Sequence, residues 1–135
     1  MKRSLCVAQY GSTNPAPAAL ACKPVKRFGS VIGLKKEKEQ YYRKLHAEVW
    51  PAVLARIRKS NIQNYSIYIT EIGGKKYLFS YMEYVGNDFA SDMRAMAEDP
   101  ETRRWWKETD PCQVPLASRK PGANWSEMEM VFLME

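Results

Sequence analysis

The chain's only histidine lies in the middle of an apolar helical stripe. When residues 41–59 are placed on a helix at about 100° per residue, His46 shares a face about 100° wide with aromatic and aliphatic side chains. These are Tyr42, Val49, Trp50, Val53 and Ile57. A histidine there is either a hydrogen-bonded core residue or a general acid/base, because its ordinary pKa of about 6.5 allows proton transfer near neutrality. Periodicity alone leaves both interpretations open.

Two further aromatic groups could contact a ligand. Asn64-Tyr65 lies in a predicted strand, and Trp105-Trp106 lies in a predicted helix. Paired tryptophans either fill a core or form a platform for a ligand with an apolar face, such as a sugar ring, because indole packs on C–H groups and donates one hydrogen bond.

Other kinds of chemistry have no motif in this sequence. The three cysteines (Cys6, Cys22 and Cys112) are odd in number and have no metal-ligand spacing, and one histidine argues against a zinc site. Gly73-Gly74 is a hairpin turn and not a phosphate-binding loop. No Ser-His-Asp arrangement or glycosidase-type carboxylate pair is identifiable. We therefore expect proton-transfer chemistry with no metal and no cofactor, and reduced thiols in the cytoplasm.

The composition predicts one soluble globular domain. The chain has 135 residues, of which 45% are hydrophobic, and no run approaches the about 20 apolar residues of a membrane span. Residues 1–60 carry 13 Lys/Arg against three Asp/Glu. Most of these charges fall on the polar side of one helix, so we interpret them as a solvated face and expect no nucleic-acid or membrane partner.

Residues 1–24 differ from the rest of the chain. Ser12 to Pro17 has the composition of a linker, and the apolar core of an export signal is interrupted by Gln9, Tyr10 and Gly11. We expect a disordered N-terminal extension over residues 1–24 and a single domain over residues 25–135.

The domain begins with a strand, a long helix and a hairpin. The strand covers residues 25–34, and the helix runs from Lys35 to about Lys59 with a kink or restart near Trp50, because Pro51 removes a backbone donor. The hairpin strands cover residues 61–70 and 76–84. In the first of them, alternation places four side chains on one face: Gln63, Tyr65, Ile67 and Ile69.

Two short helices and a last strand follow. Asn87 or Asp88 caps the first helix, Asp99 caps the second, and Asp110-Pro111 ends it. Residues 111–126 are predicted to be irregular, and Glu127 to Met134 is predicted to be a strand. Its apolar face should lie in the core and consists of Met128, Met130, Phe132 and Met134.

The order β-α-β-β-α-β indicates an α+β fold, the ferredoxin-like antiparallel sheet with helices on one face. Such a sheet leaves its other face bare. Tyrosines, Val31 and Val131 at uncovered positions suggest that a second subunit covers that face, as in a dimeric α+β barrel. We therefore expect a homodimer.

Three motifs together resemble the L-rhamnose mutarotase family. They are Tyr42-x-x-x-His46-x-x-x-Trp50-Pro51, Asn64-Tyr65-x-Ile67-Tyr68 and Trp105-Trp106, in that order and at similar separations. The resemblance runs from about Arg27 to the C-terminus. Ala47-Glu48-Val49 and the segment after Asp110 depart from the family's usual residues, which leaves the identity of the sugar open.

The resemblance implies a ferredoxin-like dimer that interconverts the α and β anomers of a deoxy-sugar pyranose, with L-rhamnose as the expected sugar. It implies that His46 is the proton donor. It also implies four substrate-binding residues: Tyr42, Tyr65, Trp105 and Trp106.

Two other functions fit the same pattern of elements. One is a cofactor-independent monooxygenase of the dimeric α+β barrel type, which would consume oxygen. The other is a non-catalytic module that binds a sugar or nucleic acid without turnover, with a steep salt dependence if the ligand is nucleic acid.

Overall fold

The computed structural model describes residues 25–135. The expectations for residues 1–24, including Cys6 and Cys22, lie outside that range. The described chain forms five strands and four α-helices. In order, these are β1 (Lys26–Leu34), α1 (Glu39–Ala47), α2 (Pro51–Lys59), β2 (Ile62–Ile72), β3 (Lys75–Tyr84), α3 (Phe89–Glu98), α4 (Pro100–Thr109), β4 (Gln113–Val114) and β5 (Ser126–Met128). Short 3₁₀ turns at Lys36–Lys38 and Asp110–Cys112 precede α1 and follow α4.

The strands form one antiparallel sheet with β1 and β3 at its centre. The order is β2-β3-β1-β4, and β5 also pairs with β1, beyond β4 along the same edge. Gly73 and Gly74 join β2 to β3 with φ angles of 57° and 78°, the left-handed conformations that a two-residue hairpin requires. The α+β class and the predicted hairpin are confirmed.

The predicted long helix is two helices. It stops at Glu48, whose φ and ψ are −137° and 66°, and restarts with Pro51 as the first residue of α2. Trp50 is extended at the N-cap (φ −58°, ψ 131°), because a residue that precedes proline avoids the helical region. The predicted restart near Trp50 is confirmed, and it places Trp50 outside α1, at the N-cap of α2.

Both short helices have a predicted cap, and the structure selects Asp88 over Asn87 for the first of them. Asp88 accepts a hydrogen bond from the Ser91 backbone N–H at 3.1 Å, and Asp99 accepts one from the Thr102 backbone N–H at 2.9 Å. Each satisfies a donor that the first turn leaves without a helical partner. These caps fix the starts of α3 and α4, and α4 carries the tryptophan pair.

The core has two neighbouring parts. One lies under α1, where buried side chains pack from strands, helix and turn: Ile32, Leu34, Tyr42, Leu78 and Cys112. The other lies under α3 and consists of Ile62, Tyr84 and Met96. The first part supports His46, because Tyr42 belongs to it and precedes His46 by one helical turn.

The predicted common face of β2 was wrong at Gln63. A β-bulge lies between Gln63 and Ser66, and it reverses the alternation. Ile67 and Ile69 pack on the core with Tyr42, whereas Gln63 points outward and donates to Glu83 at 2.9 Å.

The predicted last strand was wrong beyond Met128, and its predicted core face was wrong. β5 contains only Ser126–Met128, and three residues of the predicted core face, Met128, Phe132 and Met134, are 40%, 62% and 73% exposed. The register accounts for the exposed end of the tail: Met128 pairs with Gly29, so an antiparallel continuation would reach Lys26, the first residue of β1, at Val131 and leave Phe132 and Met134 unpaired. The short β4, Gln113–Val114, lies in the segment that we predicted to be irregular.

In the part of the chain that the structure describes, no helix has both the length and the apolar character to cross a membrane.

Candidate active site

Helix α1 stacks two ring side chains one turn apart. The rings of Tyr42 and His46 lie 4.1 Å apart with an interplanar angle of 28°, and Tyr42 is only 5% exposed. His46 Nδ1 is 2.9 Å from the Tyr42 backbone carbonyl oxygen. A carbonyl only accepts hydrogen bonds, so the geometry assigns the proton of the neutral ring to Nδ1. Nε2 is then left with its lone pair available as a base.

Two tryptophans from other elements extend this aromatic wall. Trp105 of α4 meets His46 edge-on, with ring centroids 5.3 Å apart. Trp50, at the start of α2, meets Trp105 in the same manner at 5.2 Å. The His46 ring is therefore packed between Tyr42 and Trp105, and Trp50 supports the far side of Trp105.

Partial burial sets the protonation state of His46. Loss of solvent contact lowers the pKa of its imidazole below the ordinary 6.5, and the hydrogen bond to the Tyr42 carbonyl opposes this only in part. Burial has this effect because it disfavours the charged form. The ring is therefore neutral at pH 7.

The phenols of Tyr42 and Tyr65 are close enough to influence each other. Burial is the largest cause that raises the pKa of Tyr42, electrostatic repulsion from Tyr65 adds to it, and the Gln113 amide opposes it. Burial around the hydroxyl also raises the pKa of Tyr65, although 44% of that residue's surface is exposed. Both phenols stay neutral at pH 7 and are available to donate hydrogen bonds to a ligand.

The structure brings four of the five predicted site residues together. Tyr42, His46 and Trp105 are in direct contact, and Tyr65 lies near Tyr42. Trp106 is 37% exposed, and within residues 25–135 it forms none of the aromatic pairs found around His46. Successive helical residues point about 100° apart, so the two tryptophans face different surroundings. A ligand-binding role for Trp106 remains a prediction.

Two residues near the site were not predicted. Gln113 is buried and influences the Tyr42 hydroxyl; only its position after the Asp110-Pro111 turn was noticeable in the sequence. The Arg104 guanidinium carbon lies 5.4 Å from the centre of the Trp50 ring, and its Nη1 is 2.6 Å from Glu101. Its sequence signal is its position directly before the tryptophan pair. Arg104 therefore holds the outer side of Trp50 through a cation–π contact.

Comparisons with known proteins find similarity to L-rhamnose mutarotases. The family model of L-rhamnose mutarotase matches residues 27–134. The chain is 32% identical over 111 residues to the L-rhamnose mutarotase of Oceanobacillus iheyensis, covering 82% of this chain and 100% of the relative. It is 29% identical to the Bacillus subtilis protein of that name, with the same coverage.

A solved structure shares the fold. It is the crystal structure of an L-rhamnose mutarotase from Formosa agariphila, with a TM-score of 0.60 and 22% identity, covering 82% of this chain and 99% of that one.

Proposed function

This chain belongs to the L-rhamnose mutarotase family, and we propose that it interconverts the α and β anomers of a deoxy-sugar pyranose, with L-rhamnose as substrate and His46 as general acid/base. The observation that carries the proposal is the packed, neutral His46 ring. Its Nδ1 is held by the Tyr42 carbonyl and its pKa is lowered by burial, so Nε2 is poised to accept a proton.

Exchange of anomers needs two proton transfers. One proton leaves the anomeric hydroxyl and another reaches the ring oxygen as the bond from that oxygen to C1 breaks. The open aldehyde rotates about C1–C2 and closes on its other face with both transfers reversed, so no proton is gained or lost. His46 Nε2 takes a proton in one direction and returns it in the other. A neutral phenol, Tyr42 or Tyr65, orients a sugar hydroxyl or relays the second proton.

Aromatic side chains supply the binding surface. Trp105 packs beside His46, and a pyranose presents C–H groups that pack on such rings. We propose that Tyr42, Tyr65, Trp105 and Trp106 bind the sugar, with the exposed indole of Trp106 at the outer edge. Because anomer exchange also proceeds slowly in water, positioning and one acid/base group are sufficient.

Saturation-transfer NMR tests the activity directly. The expected result is exchange between the anomeric protons of L-rhamnose that rises in proportion to protein concentration, measured beside L-fucose and buffer alone. Exchange at the buffer rate with both sugars would contradict the proposed function. Faster exchange with L-fucose would retain the reaction and change the preferred sugar.

The rate is expected to depend on pH through His46. Protonation of Nε2 removes the base, and burial holds the pKa of His46 below 6.5. Exchange should therefore be constant from pH 8 down to about pH 6.5 and should fall at more acidic pH. The measurement is the exchange rate at several pH values with the buffer rate subtracted. A midpoint clearly above pH 6.5 would contradict this assignment.

We further propose that two copies form a homodimer of ferredoxin-like subunits. The tail after β5 exposes the consecutive apolar residues Val131 and Phe132, and an exposed apolar segment of this kind is suited to cover a second sheet. Cys112 is a buried free thiol, as is usual for proteins of reducing compartments, and we propose a cytoplasmic location.

The dimer is tested by two substitutions in the tail. Replacing Val131 and Phe132 by aspartate should convert the dimer to a monomer, because charges would then be buried at the interface. The measurement is molar mass by light scattering after gel filtration. The matched control is Leu54→Asp, which adds a charge at an exposed residue of α2 and should leave the mass unchanged. A dimeric mass for the tail variant would contradict this interface.

A further inference from the structure

Strand β2 contains a bulge at the residue that supplies one of the proposed sugar contacts. Gln63 pairs with Glu83 and Ser66 pairs with Tyr81. Asn64 and Tyr65 therefore lie together opposite Met82 alone, which is the two-against-one count of a β-bulge. Asn64 has a φ of 47°, a left-handed conformation that few residues other than glycine adopt, although asparagine tolerates it best.

The bulge decides which way Tyr65 points. Ile62 is buried before the bulge, and Ile67 and Ile69 pack on the core after it. Positions 62 and 67 have opposite parity, so a regular strand could not turn both inward. The extra residue resolves this and places Tyr65 in phase with Ile67, on the side of the sheet where Tyr42 packs.

One carboxylate holds the bulge from the outer face. Glu83 Oε1 accepts hydrogen bonds from Gln63 Nε2 at 2.9 Å and from Asn64 Nδ2 at 2.8 Å. Its other oxygen accepts from the Tyr81 hydroxyl at 2.7 Å. These hydrogen bonds lower the pKa of Glu83, so it is ionised at neutral pH and its acceptor bonds are of the strong, charge-assisted type.

We propose that Glu83 is a positioning residue: by holding Asn64 in its left-handed conformation, it fixes the bulge and aims Tyr65 at the site beside Tyr42. Glu83 lies on the outward face, across the sheet from the sugar, and acts only through Tyr65. The kinetic part of this inference rests on the proposed function, and its structural part does not.

The kinetic test is a double-mutant cycle between Glu83 and Tyr65. Glu83→Ala should raise the KM for L-rhamnose exchange about tenfold, the size of a lost hydrogen bond to a charged group, with a smaller change in kcat. In a Tyr65→Phe background the same substitution should change KM less than about twofold, because coupled residues are not additive. Glu83→Gln keeps one acceptor oxygen and should recover part of the loss. Full additivity would overturn the inference.

A second measurement does not need activity. With 13C at the hydroxyl-bearing ring carbon of tyrosine, the Tyr65 signal is assigned by its loss in Tyr65→Phe. It should shift in Glu83→Ala and in Asn64→Gly, which keeps the backbone conformation accessible but removes the side-chain bond. The matched control is Glu71→Ala. Glu71 lies on β2, the strand of Tyr65, and among the described residues its carboxylate forms an ion pair only with Lys36.

The two measurements separate the two claims. An unmoved Tyr65 signal in Glu83→Ala would overturn the positioning role even if the wild-type protein exchanges anomers. If Glu83→Ala does not fold, the Glu83→Gln and Asn64→Gly variants decide by the same criterion. If the wild-type protein does not exchange anomers but Glu83→Ala shows the expected Tyr65 shift, the proposed function is refuted and the positioning role is supported.

Discussion

Replacement of His46 by alanine is expected to lower protein-catalysed anomer exchange about 10²- to 10⁴-fold, the usual contribution of a general acid/base. The reason is the location of the only free ring nitrogen: Nδ1 is committed to the Tyr42 carbonyl, which leaves Nε2 for the proton. The measurement is saturation-transfer NMR on L-rhamnose with equal protein concentrations. Exchange equal to that of the wild type would exclude His46 from the reaction.

The variant His46→Gln distinguishes a loss of proton transfer from a loss of local structure. Glutamine retains an amide N–H that can donate a hydrogen bond, but it does not titrate between pH 5 and 8. We expect it to lose as much activity as alanine while its urea unfolding midpoint stays near that of the wild type. Activity recovered by glutamine would show that His46 serves mainly to hold the Tyr42 region in place.

Replacement of Trp105 by alanine is expected to destabilise the protein by about 3–5 kcal/mol, the range for large aromatic side chains removed from a core. Trp105 is only 6% exposed, and its ring contacts both His46 and Trp50. Its removal would leave a cavity between α1, α2 and α4. The measurement is the free energy of unfolding from urea denaturation, with the slope of the transition checked for two-state behaviour.

The neighbouring Trp106 is the matched control. It has the same size and lies in the same helix but is 37% exposed, so Trp106→Ala should cost less than half as much unfolding free energy as Trp105→Ala. If Trp106 binds the sugar, its variant should raise KM without a comparable loss of stability. Equal destabilisation by the two substitutions would contradict this difference between the tryptophans.

The aromatic surroundings of His46 are only partly encoded in local sequence. Helical spacing placed Tyr42 and His46 on one face, and their stacked rings confirm it. The tryptophan pair was identified as either core filling or a ligand platform, but the contact of Trp105 with His46 was not predictable, because contacts between α1 and α4 join residues about 60 positions apart. The difference between Trp105 and Trp106 could not be predicted from the pair itself, since burial depends on how α4 is rotated against its neighbours.

Two predictions about strand faces were wrong for the same reason. Alternation alone placed Gln63 on the same face as Ile67, and it assigned Phe132 to the core face of a strand. A bulge reverses the first assignment, and the end of the partner strand leaves Phe132 exposed in the described subunit. Pairing between strands decided both, and one strand's own pattern does not contain its partner's length or register.

The sequence by itself determined the local features: the interruption of the helix at Pro51, the Gly73-Gly74 turn, the caps at Asn87 or Asp88 and at Asp99, and the apolar face that carries His46. Each follows from backbone sterics or hydrogen bonding within a few residues, so it is readable from those residues alone. Only the tertiary structure decided the direction of Tyr65, the position of Gln113 near Tyr42 and the hydrogen bonds that Glu83 accepts. Those depend on register and packing between distant segments, and there the free energy of many contacts overrides any single local preference.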